Sequence, residues 1–170
     1  MTAWLAPWAA IVVVGAVLAR PTTASQPPLD AAEAVVCLRH LGQSDKPIAP
    51  LVVSVAPVDD DLLRRLLDDD AAEAASFHVD VPTMTAVLHA LDATGAWTRP
   101  VAPPPHPFRY FALVAEDRGR RREAGLPPEA ITGVVDALVA AVGADEAGAS
   151  ARGLRQALDV LRQRVAPSVR

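Results

Sequence analysis

A chain of 170 residues with a formal net charge of −4 and an isoelectric point near 5.5 lacks the cationic surface that displaces counterions from a phosphate backbone, which excludes nucleic acid as a partner. Hydrophobic residues make up 51% and aromatic ones only 4%, so the core is aliphatic and poor in the large rings that anchor binding surfaces. The sixteen basic residues include a single lysine, Lys46, a bias that accompanies the excess of alanine and proline and gives individual arginines little weight.

Ala3 to Ala19 reads AWLAPWAAIVVVGAVLA without a charge, and Arg20-Pro21 ends any helix there. At 1.5 Å per residue such a run is roughly 25 Å long, which suits a secretory apolar region and spans a bilayer only with some thinning. The first reading of residues 1–24 is a signal peptide cleaved after Thr22-Thr23-Ala24, with 25–29 as a polar extended linker. The alternatives are a retained membrane anchor and a buried helix. Trp4 and Trp8 suit an interfacial belt on an anchor, and Arg20 would place its C-terminal side in the cytoplasm. As a signal or an anchor the segment engages the export machinery or a membrane, so the chain is expected to be exported, periplasmic or secreted, or else tethered. The lone Cys37 is preceded by Val36 and lies far beyond the apolar run, unlike a lipidated cysteine.

Residues 30–170 read as one small α/β or α+β domain, large enough to bury a core. Residues 30–41 (DAAEAVVCLRHL) carry a helix pattern, with Asp30 and Glu33 placed as a capping pair and Ala34, Cys37, Leu38 and Leu41 on one face. The cysteine is then a buried thiol. LVVSVAP at 51–57, between two prolines, predicts a strand buried on both faces at the centre of the sheet. Asp59-Asp60-Asp61 caps a helix with Leu62, Leu63, Leu66, Leu67, Ala71, Ala74 and Ala75 on one side. Its other side is a ladder of Asp60, Arg64, Asp68 and Asp61, Arg65, Asp69 at four-residue steps. The acidic triplets lack the alternating oxygen donors of a calcium loop and read as a solvated face.

FHVDV at 77–81 alternates as a second strand, ended by Pro82. A helix over 83–93 follows, with Met84, Val87, Leu88 and Leu91 buried and Gly95 as its stop. Residues 99–107 (RPVAPPPHP) are a stiff proline-rich loop. FRYFALVA at 108–115 predicts the third strand, and a charged turn leads to a helix opened by Pro127-Pro128 with Ile131, Val134, Val135, Leu138 and Val142 inside. Ser150 opens a last helix with Leu154, Leu158, Leu161 and Val165 on its apolar side. The expectation is a three-stranded, mostly parallel or split βαβ sheet with about five helices.

Candidate chemistry is sparse. His78 and Asp80 project from one strand face and His89 lies a loop and two helical turns on, the nearest approach to a metal or acid/base site, but the spacings match no zinc or metallohydrolase pattern. No phosphate-binding glycine loop or nucleophile elbow is present, so no cofactor and no metal is expected. Arg118 to Arg122 forms a basic turn between Glu116-Asp117 and Glu123, whose charges neutralise much of its field. The order of one apolar helix followed by βαβαβ, over roughly residues 50 to 115, is similar in outline to the ExbD/TolR-type periplasmic subunits of proton-driven envelope motors. Those subunits carry an aspartate in the membrane helix, whereas Ala3 to Ala19 contains none. The expected function is a non-catalytic envelope or secreted protein that binds a protein partner or plays a structural part. The alternative is a small hydrolase or metal-binding enzyme using His78, Asp80 and His89.

The mature chain is expected to begin at or near Ser25, and mass spectrometry of the natively produced protein checks this. Recovery of an intact Trp4 region from soluble cytoplasmic extract would refute it.

Overall fold

The computed structural model describes residues 27–41, 48–67, 73–101, 110–143 and 148–166. The segment Ala3 to Ala19, the carboxylates Asp68 and Asp69 of the ladder and most of the proline-rich loop lie outside the described residues. The class is mixed α/β, but the sheet has five strands rather than three, and four α-helices occur among the described residues. The strands are β1 (Val35–His40), β2 (Leu51–Ser54), β3 (Ala75–His78), β4 (Phe111–Asp117) and β5 (Arg120–Leu126). The helices are α1 (Asp60–Leu67), α2 (Val81–Ala93), α3 (Pro128–Val142) and α4 (Ala149–Val165), with a short 3-10 turn at Ala96–Thr98.

The sheet runs β3-β2-β1-β4-β5. Only β2 and β3 are parallel, joined by the α1 crossover; every other neighbouring pair is antiparallel. β1 takes the centre, and β2 lies one place in from the edge rather than at the middle.

The helix expected over 30–41 is instead a turn followed by β1. The Asp30 carbonyl accepts from Glu33 N–H at 3.1 Å and its carboxylate from Ala32 N–H at 3.1 Å, closing a turn at Ala31–Glu33 where a capping box had been read. The residues that follow, Ala34 to Leu38, are all buried, and an unbroken apolar run has no period that separates a covered strand from a helix. Val36 and Leu38 face one layer while Val35 and Cys37 face the other. Cys37 is buried as expected, but on a strand.

The two faces of the sheet are unequally covered. Val36, Leu38, Leu51, Val53, Phe111, Leu113, Ala124 and Leu126 pack under α2, α3 and α4, the layer that holds most of the core. The opposite face, with Val35, Cys37, Val52 and Val114, is met by Leu66 and Leu67 of α1 alone among the helices. Asp59 caps α1 as the sequence suggests, its carboxylate accepting from Leu62 N–H at 2.6 Å. Of the charge ladder, Arg64 pairs with Asp61 three residues back and Arg65 with Glu116 across the sheet.

The strand expected over 77–81 sits two residues earlier. Asp80 leaves the strand to cap α2, and Val81 becomes the first residue of that helix, 42% exposed. The stripes expected on the last three helices, Met84, Val87, Leu88 and Leu91, then Ile131 to Val142, then Leu154 to Val165, are all buried. The charged turn after the third expected strand is itself strand: β4 extends to Asp117 and doubles back through Arg118-Gly119 into β5. Both turn residues have positive φ, +43° and +79°, as a two-residue hairpin that follows the sheet's twist requires. Further along β5, Gly125 donates its N–H to the Arg99 carbonyl at 3.1 Å, and an added Cβ would stand 2.0 Å from the Tyr110 hydroxyl oxygen. Chain and ring thus cover this edge of the sheet.

Val53 is 3% exposed and faces the three-helix layer. Val53→Asp strands a carboxylate without water or partner, a cost of at least several kcal/mol against the roughly 5 to 15 kcal/mol that holds a domain. The variant should be insoluble or degraded, while Asp61→Ala on the exposed ladder should stay within about 0.5 kcal/mol of the parent in urea unfolding.

Candidate functional site

The three residues singled out by the sequence have separate surroundings. His78 ends β3 beside Ser54, with Nδ1 3.1 Å from the serine hydroxyl, on the face of the sheet that α1 covers. Asp80 accepts from Thr83 N–H at 2.8 Å as the α2 N-cap. Hydrogen bonds from the Thr83 side chain and then its backbone hold the Asp80 carboxyl below the ordinary aspartate range. His89 is exposed on α2, which packs on the other face. Among the described residues no three of His, Cys, Asp and Glu stand together as a metal-ligand set.

The basic turn is a clamp rather than a free patch. Asp117, 1% exposed at the end of β4, takes the Arg120 guanidinium through both oxygens, with Nε 2.7 Å from Oδ1, and also accepts the Asp30 N–H at 2.5 Å. Arg118 reaches Asp30 at 3.3 Å and Glu33 at 3.2 Å, Arg121 pairs with Glu123, and Arg122 bonds Asp92 at 3.2 Å and the Pro27 carbonyl at 2.5 Å. Arg118, Arg122 and the Asp117 carboxylate, itself held by Arg120, thereby fasten residues 27–33 to the hairpin. Burial pushes the Asp117 carboxyl upward, but the bonds from Arg120 and Asp30 and the charges of Arg120 and Arg118 outweigh it, and the net shift is downward.

A concave feature lies elsewhere, where β1 ends and β2, β3 and β4 begin. A cleft of about 460 Å³ separates the sheet from α4. Leu38, Leu51, Ala75 and Phe111 form its floor and Ile48 and Ala49 one wall; Gly153, Gln156, Ala157, Val160, Leu161 and Arg164 form its roof. The roof residues recur at three- and four-residue steps, which places them on one side of the helix. Gly153 admits the Phe77 ring, since a Cβ there would lie 3.3 Å from Cε1. Gln156 and Arg164 are the polar members of a lining that is otherwise apolar. None of these residues had been expected to line a cleft, and the trace they leave in the sequence is the small-residue side of the last helix, Gly153 and Ala157.

No family model, curated protein or solved structure shows a significant match to the chain.

Because Asp117 has its folded pKa below the unfolded value, its stabilisation is complete above the ordinary aspartate value of 3.8 and is lost as pH falls through the folded one. Asp117→Asn should cost about 1 to 2 kcal/mol at pH 7, allowing for the half-exposed Arg120. Urea midpoints measured at pH 7 and pH 3 should fall further for the parent than for the variant; equal falls would show that the clamp does not couple to folding.

Proposed function

We propose that the protein is a non-catalytic exported or envelope-associated protein that binds a protein partner or plays a structural part. The observation that carries this reading is the employment of its ionisable groups in holding the fold. Acid–base catalysis uses groups whose pKa values are moved toward neutrality in a pocket. Among the described residues the carboxylates with displaced values, Asp80 and Asp117, are both displaced downward by hydrogen bonds that serve a helix cap and a clamp. Each stays ionised at neutral pH and is a poor proton carrier. Glu116 is engaged by Arg65, and His78 by Ser54.

Support for the export part comes from the uncharged run Ala3 to Ala19 and the small residues before Ser25. Among the described residues no helix is long and apolar enough to cross a membrane. For the binding part, the βαβαβ order of β2 to β4 is similar in outline to the ExbD/TolR-type periplasmic subunits, but β1 precedes that run and sits between β2 and β4, a strand the outline lacks.

Alkaline phosphatase fused after Pro28, which folds only in an oxidising compartment, should be active in a bacterial host, and an inactive fusion would defeat export. Purified protein should not turn over ester, phosphoester or peptide substrates, with or without zinc. Turnover abolished by His78→Ala would make it an enzyme after all.

A further inference from the structure

The two outer strands of the sheet are protected unequally. β5 carries Arg120, Arg121, Arg122 and Glu123 along its first half, and further on Gly125 gives its N–H to the Arg99 carbonyl at 3.1 Å. Charge and cover are devices by which sheets keep an edge from pairing with another chain. β3, the opposite outer strand, has neither: Ala75, Ser76, Phe77 and His78 include no carboxylate, lysine, arginine or proline. Ala75 and Val79 donate their N–H groups to the carbonyls of Pro50, just before β2, and Ser54 of β2 at 2.8 and 2.9 Å. Alternate residues of a strand point their backbone groups to opposite sides, so those of Ser76 and His78 point away from the sheet, where no described residue bonds them. Both of these side chains are exposed, and Phe77 between them is half-buried on the helix-covered face.

We propose that two copies of this chain pair through β3 as antiparallel neighbours about a two-fold axis at Phe77, joining two five-stranded sheets into one. A ladder pairs outward residues only with outward residues, and an axis normal to the sheet keeps like faces together. Centred on Phe77, the register sets Ser76 opposite the partner's His78 and His78 opposite the partner's Ser76, and each pair exchanges two hydrogen bonds. Phe77 then faces the partner's Phe77 in the closer, non-hydrogen-bonded kind of pair, an aromatic contact on the helix-covered side. Charge and length favour a copy of this chain over a foreign strand. Glu73 and Asp80 flank β3, and in this register they lie opposite the partner's Val81 and the partner's Ala74, so carboxylate never meets carboxylate. A copy also ends where β3 ends, whereas a longer strand would overrun into the Asp80 cap of α2. So short a ladder makes an association that depends on concentration. The pairing goes beyond the partner-binding reading and does not depend on it.

The test is sedimentation equilibrium of the natively produced protein at increasing concentration, where the parent should pass from monomer toward dimer. Ser76→Lys with His78→Lys, both at exposed positions, sets lysine against lysine in each pair and should weaken the dimer about tenfold. Ser76→Glu with His78→Glu should do the same, and an equimolar mixture of the two variants should restore the dimer as a mixed pair. Both variants lose the contact of His78 with Ser54, so that loss cannot account for the restoration. A parent that stays monomeric at every concentration overturns the proposal, including one that captures an extended peptide of another protein at this edge. A dimer indifferent to the two lysines places the interface elsewhere and overturns it, as do lysine and glutamate variants that fail to restore each other.

Discussion

The backbone of β1 is paired on both sides, with β2 and with β4, and its side chains are buried on both faces. A strand with no side left for water fixes where everything else goes. Val36 and Leu38 must be covered by one layer and Val35 and Cys37 by another, so helices are needed above and below. Three helices take the first task. α1 takes the second with Leu66 and Leu67, and the charged side chains of Arg65 and Glu116 finish the cover beyond it. The crossover from β2 to β3 follows from the same demand, since a parallel neighbour must be reached over a face.

How much of this was legible in the sequence depended on whether a segment advertises a period. α2, α3 and α4 each have one wet side, so their stripes were readable from Met84, Ile131 and Leu154 onward. β1 has none, and its apolar run passed for a helix once Asp30 and Glu33 offered a plausible cap. β5 was hidden for the opposite reason. Its first four residues, Arg120 to Glu123, are exposed or half-exposed and charged, and only its pairing with β4 makes them a strand. Charge at the open end of a hairpin looks like a loop until its partner is known.

The site divided along similar lines. Asp80 attracted notice because it alternates with His78, yet a carboxylate directly before a helix and three residues before Thr83 is a cap first. The cleft under α4 could not be read because its floor is assembled from four strands far apart in the chain and its members are ordinary aliphatic residues. Only the helix side of it, with Gly153 and Ala157 where larger residues would close the gap, leaves a trace in sequence order.

The fastening of residues 27–33 to the β4–β5 hairpin bears on how the domain would carry mechanical load. Tension arriving along the chain ahead of Pro27 meets Arg122, Arg118 and Asp117 before it reaches any strand. Beyond them it enters β1 along its axis, where the ladders to β2 and β4 are strained together in shear rather than peeled one bond at a time. Shear through a central strand is the most resistant way to pull on a sheet. Under such a load the contacts of Arg118, Arg122 and Asp117 stand ahead of the paired length of β1.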